Sequence, residues 1–459
     1  MNTKLRIDSL TVSNFRCFES LTIDFYCDLT VLVARNGQGK TAILDAIKVA
    51  LGTFTNSFPY STTASLSASD AFVRPGNEPQ YPVSVTAMGE MGDDVFKVTR
   101  DLTKAKGRTS SDKAKDLTSF GDTLFKQSQK ESANEDPVNL PILAFYGTGR
   151  LWSEQKYADK DDGKLSPLAE SRFVGYDAAF SARSNYKFVK QWLVDAMLFM
   201  DTPEAQNTAE YKMVKAQLAA VKKALDTLLL LEGWSGLHYN RFLKDLAIVR
   251  DTPHYGDDPA DSTEKPSVAL PISSLSDGVR AVFAMTADIA CRCAKLNRHL
   301  GERACEETSG IVLIDEVDLF LHPSWQQRII GNLQSVFPNI QFIVTTHSPQ
   351  VVSSVPKECV RIISNGEIVP IDKPTQGVDV SDILADIFDT APIPQNTEIA
   401  KKLEQLQAMT SEGLGNTPEW EALYSELEMY YGPYYGPLFG TREHRDFLNK
   451  INGWKKCTD

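Results

Sequence analysis

Two kinds of apolar pattern run along this 459-residue chain. Apolar and polar residues alternate over residues 5–12 and 21–25, which predicts half-buried strands. Residues 29–33, 310–314 and 340–345 are instead apolar almost without interruption, which is typical of parallel strands covered on both faces. The sequence therefore predicts an α/β fold built on a buried parallel sheet.

Apolar residues spaced three and four apart predict helices along much of the remaining chain. The predicted helices cover residues 42–51, 186–201, 209–231, 279–296, 324–336, 380–388, 398–409, 420–431 and 443–451. Hairpins are expected at residues 83–99 and 360–371, a strand at 140–145, and either helix or strand at 237–249. The polar segments 101–139 and 251–268 are expected to be a mobile surface insertion and a loop.

Composition narrows the class of protein. The hydrophobic fraction of 42% is typical of a globular chain. There is no apolar run of about 18 residues and no apolar signal core at the start, so we expect neither a membrane span nor secretion. Seven cysteines, mostly in apolar stretches, suggest reduced thiols in a cytoplasm. The net charge of −12 argues against a surface uniformly coated for nucleic-acid binding.

A phosphate-binding loop follows the strand at residues 29–33 and leads into a helix, the arrangement of a P-loop. The loop residues expected to hold a nucleotide are Asn36, Gly37, Gly39, Lys40 and Thr41. Lys40 would reach the β- and γ-phosphates, and the Thr41 hydroxyl would ligate Mg²⁺. Ala34 stands where the motif has its first glycine, so slow hydrolysis or use of ATP as a sensed ligand stays open.

Two further apolar strands end in chemically active side chains. The strand at residues 311–314 runs into Asp315, which could hold Mg²⁺, and Glu316, which could polarise an attacking water. The strand at residues 343–346 ends at His347, which could sense the γ-phosphate and position water. Each feature alone has a plainer interpretation, as an acidic turn or a structural histidine.

The helix at residues 279–296 opens with Ser276, Asp277 and Gly278. A serine and backbone N–H groups at a helix N-terminus can bind an anion. Capping of the helix by Ser276 or Asp277 is expected as well. Residues 318–323, which follow the carboxylate pair, predict by themselves only a turn leading into a helix.

Taken in order, these motifs resemble the heads of ABC-type ATPases of the SMC and RecF group. The order is Walker A, a Leu-Ser-Asp-Gly signature, Walker B with Asp-Glu, a D-loop and a switch histidine. The Asn-Phe-Arg turn ending at Arg16 adds to the resemblance, because that arginine meets the nucleotide in such heads. The resemblance implies ATP and Mg²⁺ as cofactors. It also implies that Ser276 and Gly278 of one chain close over ATP held by Lys40 and Thr41 of another, in a head-to-head dimer or higher homo-oligomer.

On this resemblance the chain is expected to have four parts. Residues 1–200 would form lobe I with the P-loop and surface insertion, and residues 201–250 a short helical arm. Residues 251–374 would form lobe II with the signature, Walker B and the switch histidine. Residues 375–459 would be a C-terminal helical interaction region, with a tyrosine-rich stretch at 430–435 that binds a partner or packs on its own head.

Narrower motifs resemble the RecF-like ATPases of bacterial anti-phage systems, above all the PtuA family of the Septu system and its retron-associated form. These motifs cover residues 145–152, 275–278, 318–326 and 346–351. The family works with a separate HNH nuclease, so a PtuB-like nuclease is the implied partner. Reverse transcriptase and retron RNA–DNA would be further partners of a retron-associated form. Many ABC heads also place a glutamine after the lobe I strand, for which Gln155 is a weak candidate.

OLD-type nucleases share several of these motifs but add a Toprim nuclease with an Asp-x-Asp pair. The 112 residues after His347 (459 − 347) contain no Asp-x-Asp, and the chain has no His-Asn-His finger, so we expect no nuclease site here. Two alternatives stay open. A stand-alone RecF-like DNA-repair ATPase would need a basic surface, for which residues 104–115 offer lysines and an arginine mixed with acids, unless these form a solvated loop. A scaffold with a vestigial site is disfavoured by Asp315 and Glu316 together.

Overall fold

The chain forms two compact units, residues 1–380 and 381–459, in a computed structural model. The structure describes residues 2–61, 64–110, 112–130, 137–149, 171–181, 186–203, 206, 208–230, 233–250, 268–391, 393–432 and 434–456. Gln155, the end of the motif at residues 145–152 and nearly all of the predicted loop 251–268 lie outside the described residues.

Thirteen strands are found in the described residues, all of them in the first unit. They are β1 (Leu5–Phe15), β2 (Phe18–Asp24), β3 (Leu29–Ala34), β4 (Val83–Met91), β5 (Asp94–Leu102), β6 (Ile142–Tyr146), β7 (Trp234–Asn240), β8 (Asp245–Arg250), β9 (Val268–Pro271), β10 (Gly310–Ile314), β11 (Ile340–Thr346), β12 (Val360–Ser364) and β13 (Glu367–Val369).

The helices connect these strands and make up the second unit. They are α1 (Lys40–Thr55), α2 (Lys115–Gln129), α3 (Tyr186–Met200), α4 (Ala209–Leu229), α5 (Asp277–Leu296), α6 (Ala304–Glu307), α7 (Pro323–Gln326), α8 (Ile329–Val336), α9 (Pro349–Ser353), α10 (Val380–Asp386), α11 (Glu398–Ser411), α12 (Pro418–Tyr431) and α13 (Gly436–Lys456). Where the structure describes them, none of these helices combines the length and apolar character needed to span a bilayer.

A six-stranded sheet in the order β13-β12-β3-β11-β10-β6 carries the core of the first unit. Neighbouring strands from β12 to β6 are parallel, and β13 closes one edge antiparallel to β12. Every residue of β3, β6, β10 and β11 is buried. The continuous apolar runs therefore form a buried parallel sheet, as predicted, and the carboxyl ends of β3, β6, β10 and β11 share one edge.

An antiparallel sheet in the order β2-β1-β4-β5 alternates buried and open positions, as predicted for half-buried strands. The register of β1 against β4 shifts between Ile7 and Ser9. The Gln341 amide of β11 binds both backbone groups of Ile7, accepting from its N–H at 2.9 Å and donating to its carbonyl at 2.8 Å. This side chain satisfies buried backbone groups beside the irregularity and joins the two sheets.

Three sequence predictions need correction or refinement. Residues 101–139 are not a mobile insertion throughout, because β5 extends to Leu102 and α2 occupies residues 115–129. Leu117, Phe120 and Leu124 form its buried face, a helical spacing that the surrounding polar residues obscured. Residues 237–249 are strands, β7 and β8, and the predicted helix at 324–336 is broken into α7 and α8.

The second unit has its own core around Trp420. Its buried members are Leu403, Leu406, Trp420, Tyr424, Leu427 and Leu438. Trp420 stacks on Tyr424 at 5.0 Å between ring centroids, and its indole Nε1 donates to Thr410 Oγ1 at 2.7 Å. Buried indole N–H groups need such a partner, so the C-terminal helices form a folded unit in their own right.

Candidate functional site

A cavity of about 280 Å³ opens at the carboxyl edge of the parallel sheet, where the P-loop meets the ends of β10 and β11. It is lined by Asn36, Gly37, Gly39, Lys40, Thr41, Ala42, Asp315, Glu316 and His347. The structure thus brings together the predicted P-loop, Walker B and switch-histidine residues. Ser276, Gly278 and Arg16 do not line this cavity.

Two P-loop glycines are required for different reasons. Gly37 has φ +79° and open space around it, so only its backbone conformation favours glycine. Gly39 has φ +93°, and a Cβ there would lie 2.3 Å from the Phe18 ring and 2.5 Å from Cys17 Sγ. The turn between β1 and β2 therefore packs directly on the P-loop, which explains why Gly39 cannot carry a side chain.

Ala34, which departs from the P-loop pattern, is the last residue of β3. It is not among the described residues with positive φ, so its methyl group costs no backbone strain. Its carbonyl accepts a hydrogen bond from Lys40 Nζ at 2.8 Å. The alanine thus leaves the lysine properly placed at the base of the loop.

Lys40 also binds the switch histidine, with 2.7 Å between Lys40 Nζ and His347 Nε2. An ammonium group can only donate, so Nε2 of His347 must accept and the imidazole is neutral. Burial and the neighbouring Lys40 charge both lower the pKa of His347, in agreement with this assignment. Burial also lowers the pKa of Lys40, against the opposing influence of the Asp315, Glu316 and Asp318 carboxylates.

Asp315 is held by hydroxyl groups from two directions. Thr41 Oγ1 donates to Asp315 Oδ2 at 2.9 Å, and Thr345 Oγ1 donates to Asp315 Oδ1 at 2.6 Å. A hydroxyl and a carboxylate side by side are the oxygen ligands that Mg²⁺ prefers. Thr41 and Asp315 therefore fit the predicted metal-binding role.

Glu316 lies beside Asp315 in a strained backbone conformation, with φ +49°. Its N–H donates to Thr345 Oγ1 at 2.7 Å, and the following N–H, that of Val317, donates to the Thr345 carbonyl at 2.9 Å. Left-handed non-glycine residues are often retained at functional sites, where neighbouring contacts hold them. Here the backbone turn brings the Glu316 side chain to the cavity wall.

Thr345 is a functional residue that sequence reasoning missed. Its hydroxyl orients both Walker B carboxylate residues, one through a side chain and the other through a backbone N–H. No local sequence signal distinguished it, because β11 also contains Gln341 and Thr346, and the full burial of Thr345, at 0% exposure, is seen only in the structure. Beyond His347, Ser348 Oγ similarly donates to Gln326 Oε1 at 2.7 Å and ties the switch segment to α7.

Arg16, predicted to meet the nucleotide, is bound by two carboxylates. Its Nε donates to Asp70 Oδ1 at 2.8 Å, and Nη1 contacts Asp45 of α1. Its φ of +53° places it in the tight turn that precedes Phe18, whose ring packs on Gly39. The structure thus places Arg16 next to the P-loop but outside its cavity.

The signature turn lies at the N-terminus of α5. Ser276 is the exposed N-cap residue but makes no capping hydrogen bond through its side chain, and Asp277 pairs with Arg280 instead. Ser276 therefore takes the predicted N-cap position, but its side chain does not supply the expected capping hydrogen bond. A Cβ on Gly278 would lie 2.3 Å from the carbonyl oxygen of Phe320, so the turn packs closely on the D-loop.

Comparisons with known proteins show which families and proteins the chain is similar to. A protein-family model described as an AAA domain matches residues 9–232. A second, described as an AAA domain of a candidate AbiEii toxin of a type IV TA system, matches residues 150–353. The "Retron Ec83 probable ATPase" of Escherichia coli is 27% identical over 468 aligned residues, covering 94% of this chain and 84% of that protein.

Two more matches describe the breadth of the similarity. The Septu protein PtuA of Bacillus mycoides (strain KBAB4) is 28% identical over 283 residues, covering 55% of this chain and 36% of that protein. An SMC head crystallised with the C-winged helix domain of ScpA has a TM-score of 0.47 and 17% identity, covering 80% of this chain and 98% of the other. The ordered motifs and the sequence matches show that the chain is similar to ABC-type ATPases, in particular to the retron ATPases and to PtuA.

Proposed function

We propose that this chain is the regulatory ATPase of a bacterial anti-phage defence complex and that its nucleotide state controls a partner HNH nuclease. The convergence of Lys40, Thr41, Asp315, Glu316 and His347 on one cavity carries the ATPase part of the proposal. The similarity to retron ATPases and to Septu PtuA supports the defence part.

Each cavity residue has a distinct task in ATP hydrolysis. When bound beside Thr41 and Asp315, Mg²⁺ would neutralise phosphate charge. Lys40 supplies a second positive charge, and the Ala34 carbonyl and His347 hold its ammonium in place. Glu316 orients the attacking water and draws off its proton. We assign contact with the γ-phosphate to the neutral imidazole of His347.

We further propose that two chains share each complete site. Ser276 is exposed and does not line the cavity of its own chain. A serine at a helix N-terminus can bind phosphate. In a head-to-head dimer, Ser276 and Gly278 of one chain would close over ATP held by the other, so the nucleotide would stabilise the dimer.

Calorimetric titration with ATP and Mg²⁺ tests the nucleotide site. Lys40→Ala removes the charge that faces the phosphates and should weaken ATP binding by at least about 100-fold. Lys97→Ala, at an exposed position of β5, is the matched control and should bind like the native protein. Unchanged ATP affinity in Lys40→Ala would refute the site.

The second unit offers a surface for the nuclease. Met429, Tyr430 and Tyr434 are 89%, 67% and 91% exposed. They lie outside the core around Trp420, so they can be changed without emptying it. Exposed aromatic residues and methionine are enriched in protein interfaces. We therefore assign the partner contact to these three residues.

Co-purification of a tagged chain with the co-expressed HNH nuclease tests this surface. The double variant Met429→Ser, Tyr434→Ser should retain at least about tenfold less nuclease, as expected for the loss of interface anchors. Phe447→Ser removes another aromatic that is 59% exposed, on α13, and should retain the nuclease normally. Equal retention by all three proteins would exclude this surface.

A further inference from the structure

A buried network of polar side chains connects α5, the helix that begins at the signature turn, to β6, the strand beside the Walker B strand β10. Tyr146 is the last residue of β6, and its hydroxyl donates to Asp288 Oδ2 at 2.7 Å. The same oxygen accepts from Arg292 Nε at 2.8 Å. All three side chains are buried, at 8%, 6% and 6% exposure for Tyr146, Asp288 and Arg292.

Arg292 extends this network to a third segment, residues 175–177. Its Nη1 donates to the carbonyls of Gly175 and Asp177 at 2.8 and 3.0 Å. Burial alone would lower the pKa of Arg292, but the Asp288 carboxylate outweighs it and raises that pKa. Burial raises the pKa of Tyr146 well above its usual value, so its hydroxyl stays a donor. Buried ion pairs are often no more stabilising than apolar residues of the same volume, so stability alone does not explain this network.

Tyr146 also reaches the nucleotide site through its backbone. Its carbonyl accepts a hydrogen bond from the N–H of Asp315 at 2.8 Å, in line with the pairing of Tyr146 and Ile314 in the sheet. The carboxylate of Asp315 in turn binds Thr41. One residue therefore contacts α5 through its side chain and the Walker B carboxylate residue through its main chain.

The signature end of α5 is also fixed to the Walker B segment. The close approach of Gly278 to the Phe320 carbonyl leaves no space between helix and D-loop. Ten residues separate Gly278 from Asp288, which is about 15 Å along a helix. A helix of this length, buried from residue 281 to 296, moves as a rigid body. Displacement of the signature turn would thus reach Asp288.

We propose that Tyr146, Asp288 and Arg292 are positioning residues that transmit the position of the signature helix to the Mg²⁺-binding carboxylate of Asp315. The inference rests on the proposed ATPase function. Closure of a second chain on Ser276 would move or brace α5, and Tyr146 would carry that change to the backbone of Asp315. Hydrolysis would then depend on closure even though the signature turn lies outside the cavity.

The variant Tyr146→Phe tests this proposed relay from α5 to Asp315, because it keeps the aromatic ring and deletes one hydrogen bond. Affinity for a fluorescent ATP analogue in EDTA should stay within about twofold of the native value. The Mg²⁺ concentration that half-saturates tight binding should rise by up to about tenfold, because part of the free energy of the lost hydrogen bond to a charged group would act on Asp315. The kcat for ATP should fall by a similar factor, with KM within about twofold.

Tyr176→Phe is the matched control. Tyr176 is 0% exposed and lies between the two residues that accept from Arg292, but its hydroxyl donates to the Pro141 carbonyl at 2.8 Å, so the variant deletes no hydrogen bond of Asp288 or Arg292. Both variants lose one buried hydrogen bond and should lower the unfolding temperature, Tyr146→Phe by more because its partner is a carboxylate. Only Tyr146→Phe should change the Mg²⁺ response. Combined with Ser276→Ala, Tyr146→Phe should lower kcat by less than the product of the separate losses, because both act through one helix.

Three results would overturn the proposal. One is a native Mg²⁺ response in Tyr146→Phe, another is an equal change in Tyr176→Phe, and the third is full multiplication of the kcat losses with Ser276→Ala. Failure of the native protein to bind the ATP analogue would refute the ATPase function as well, and this is seen before any variant is compared.

Discussion

The P-loop and the signature turn both place a short loop before a long helix, yet their side chains are used differently. In the P-loop, Lys40 is 7% exposed and is hydrogen-bonded to residues of the same chain. At the signature turn, Ser276 is exposed and makes no capping bond through its side chain.

In the proposed composite dimer, this difference separates what one chain can do alone from what requires a second chain. The P-loop is already hydrogen-bonded to both His347 and the Walker B residue Asp315 of the same chain, which is the preorganisation that binding and chemistry require. The signature turn has a rigid support, because Gly278 packs against Phe320, but it does not line the nucleotide cavity of its own chain. We therefore expect variants of the two regions to fail in different steps.

The largest effect is expected from Glu316→Gln, which keeps the shape of the side chain and removes the base. ATP hydrolysis should fall by about 100- to 1,000-fold, within the usual range for loss of a general base. ATP binding should persist, because Lys40, Thr41 and Asp315 are unchanged. Phosphate release and calorimetry on the same preparation check both points, and Glu367→Gln, at an exposed position of β13, is the control. Retained turnover in Glu316→Gln would remove the residue from the mechanism.

Mixing two inactive variants sharpens the comparison further. Lys40→Ala disables the nucleotide cavity formed by the P-loop and Walker B residues, and Ser276→Arg disables the signature turn. In a composite dimer, the mixed species keeps one intact site of two, so an equimolar mixture should recover about a quarter of native turnover. Steady-state phosphate release measures the recovery.

The control mixture combines Lys40→Ala with Glu316→Gln. Both changes lie in the nucleotide cavity of their own chain, so each site of a mixed dimer contains one of them and no activity should return. Recovery in this control, or none in the first mixture, would mean that the signature turn does not complete the site of another chain.

A smaller effect is expected at the support of the signature turn. Gly278→Ala places a methyl group against the Phe320 carbonyl and should destabilise the protein by about 1–3 kcal/mol. Gly331→Ala, in α8, meets nothing within 4 Å and should stabilise it by about 0.5–1 kcal/mol. Denaturant unfolding measures both, and equal responses would contradict the close packing of α5 on the D-loop.

Local patterns in the sequence predicted the strands whose ends carry the residues of the nucleotide cavity. The nearly continuous apolar runs of β3, β10 and β11 and the motifs at their ends, together with the resemblance to ABC-type heads, were enough to expect Lys40 near His347, 307 residues away. Their common edge follows from parallel pairing, which continuous apolar strands favour. The order of the motifs thus allowed distant residues to be predicted as neighbours without knowledge of any long-range contact.

What could not be predicted depends on single tertiary contacts. The face of α2 has only three large apolar residues among many polar ones, so its periodicity was weak. The role of Thr345 requires knowing that its hydroxyl points at Asp315, and the Tyr146–Asp288 bond joins residues 142 positions apart. Neither leaves a local pattern, because a buried hydroxyl or carboxylate looks the same in sequence whatever it binds.

The smallest predicted effect concerns pH and separates His347 from the carboxylates around it. The ordinary histidine pKa is about 6.5. In the folded protein, burial and Lys40 lower the pKa of His347, so below about 6.5 the unfolded chain takes up the proton first. Stability contributed by the neutral imidazole is therefore lost as pH falls through this window. His347 is partly exposed, so solvent screens the effect and keeps it modest. Unfolding temperatures at pH 7.5 and 5.5 should fall further for the native protein than for His347→Gln, in which the carboxylates still titrate but this site does not. Parallel losses would show that Lys40 does not keep His347 neutral.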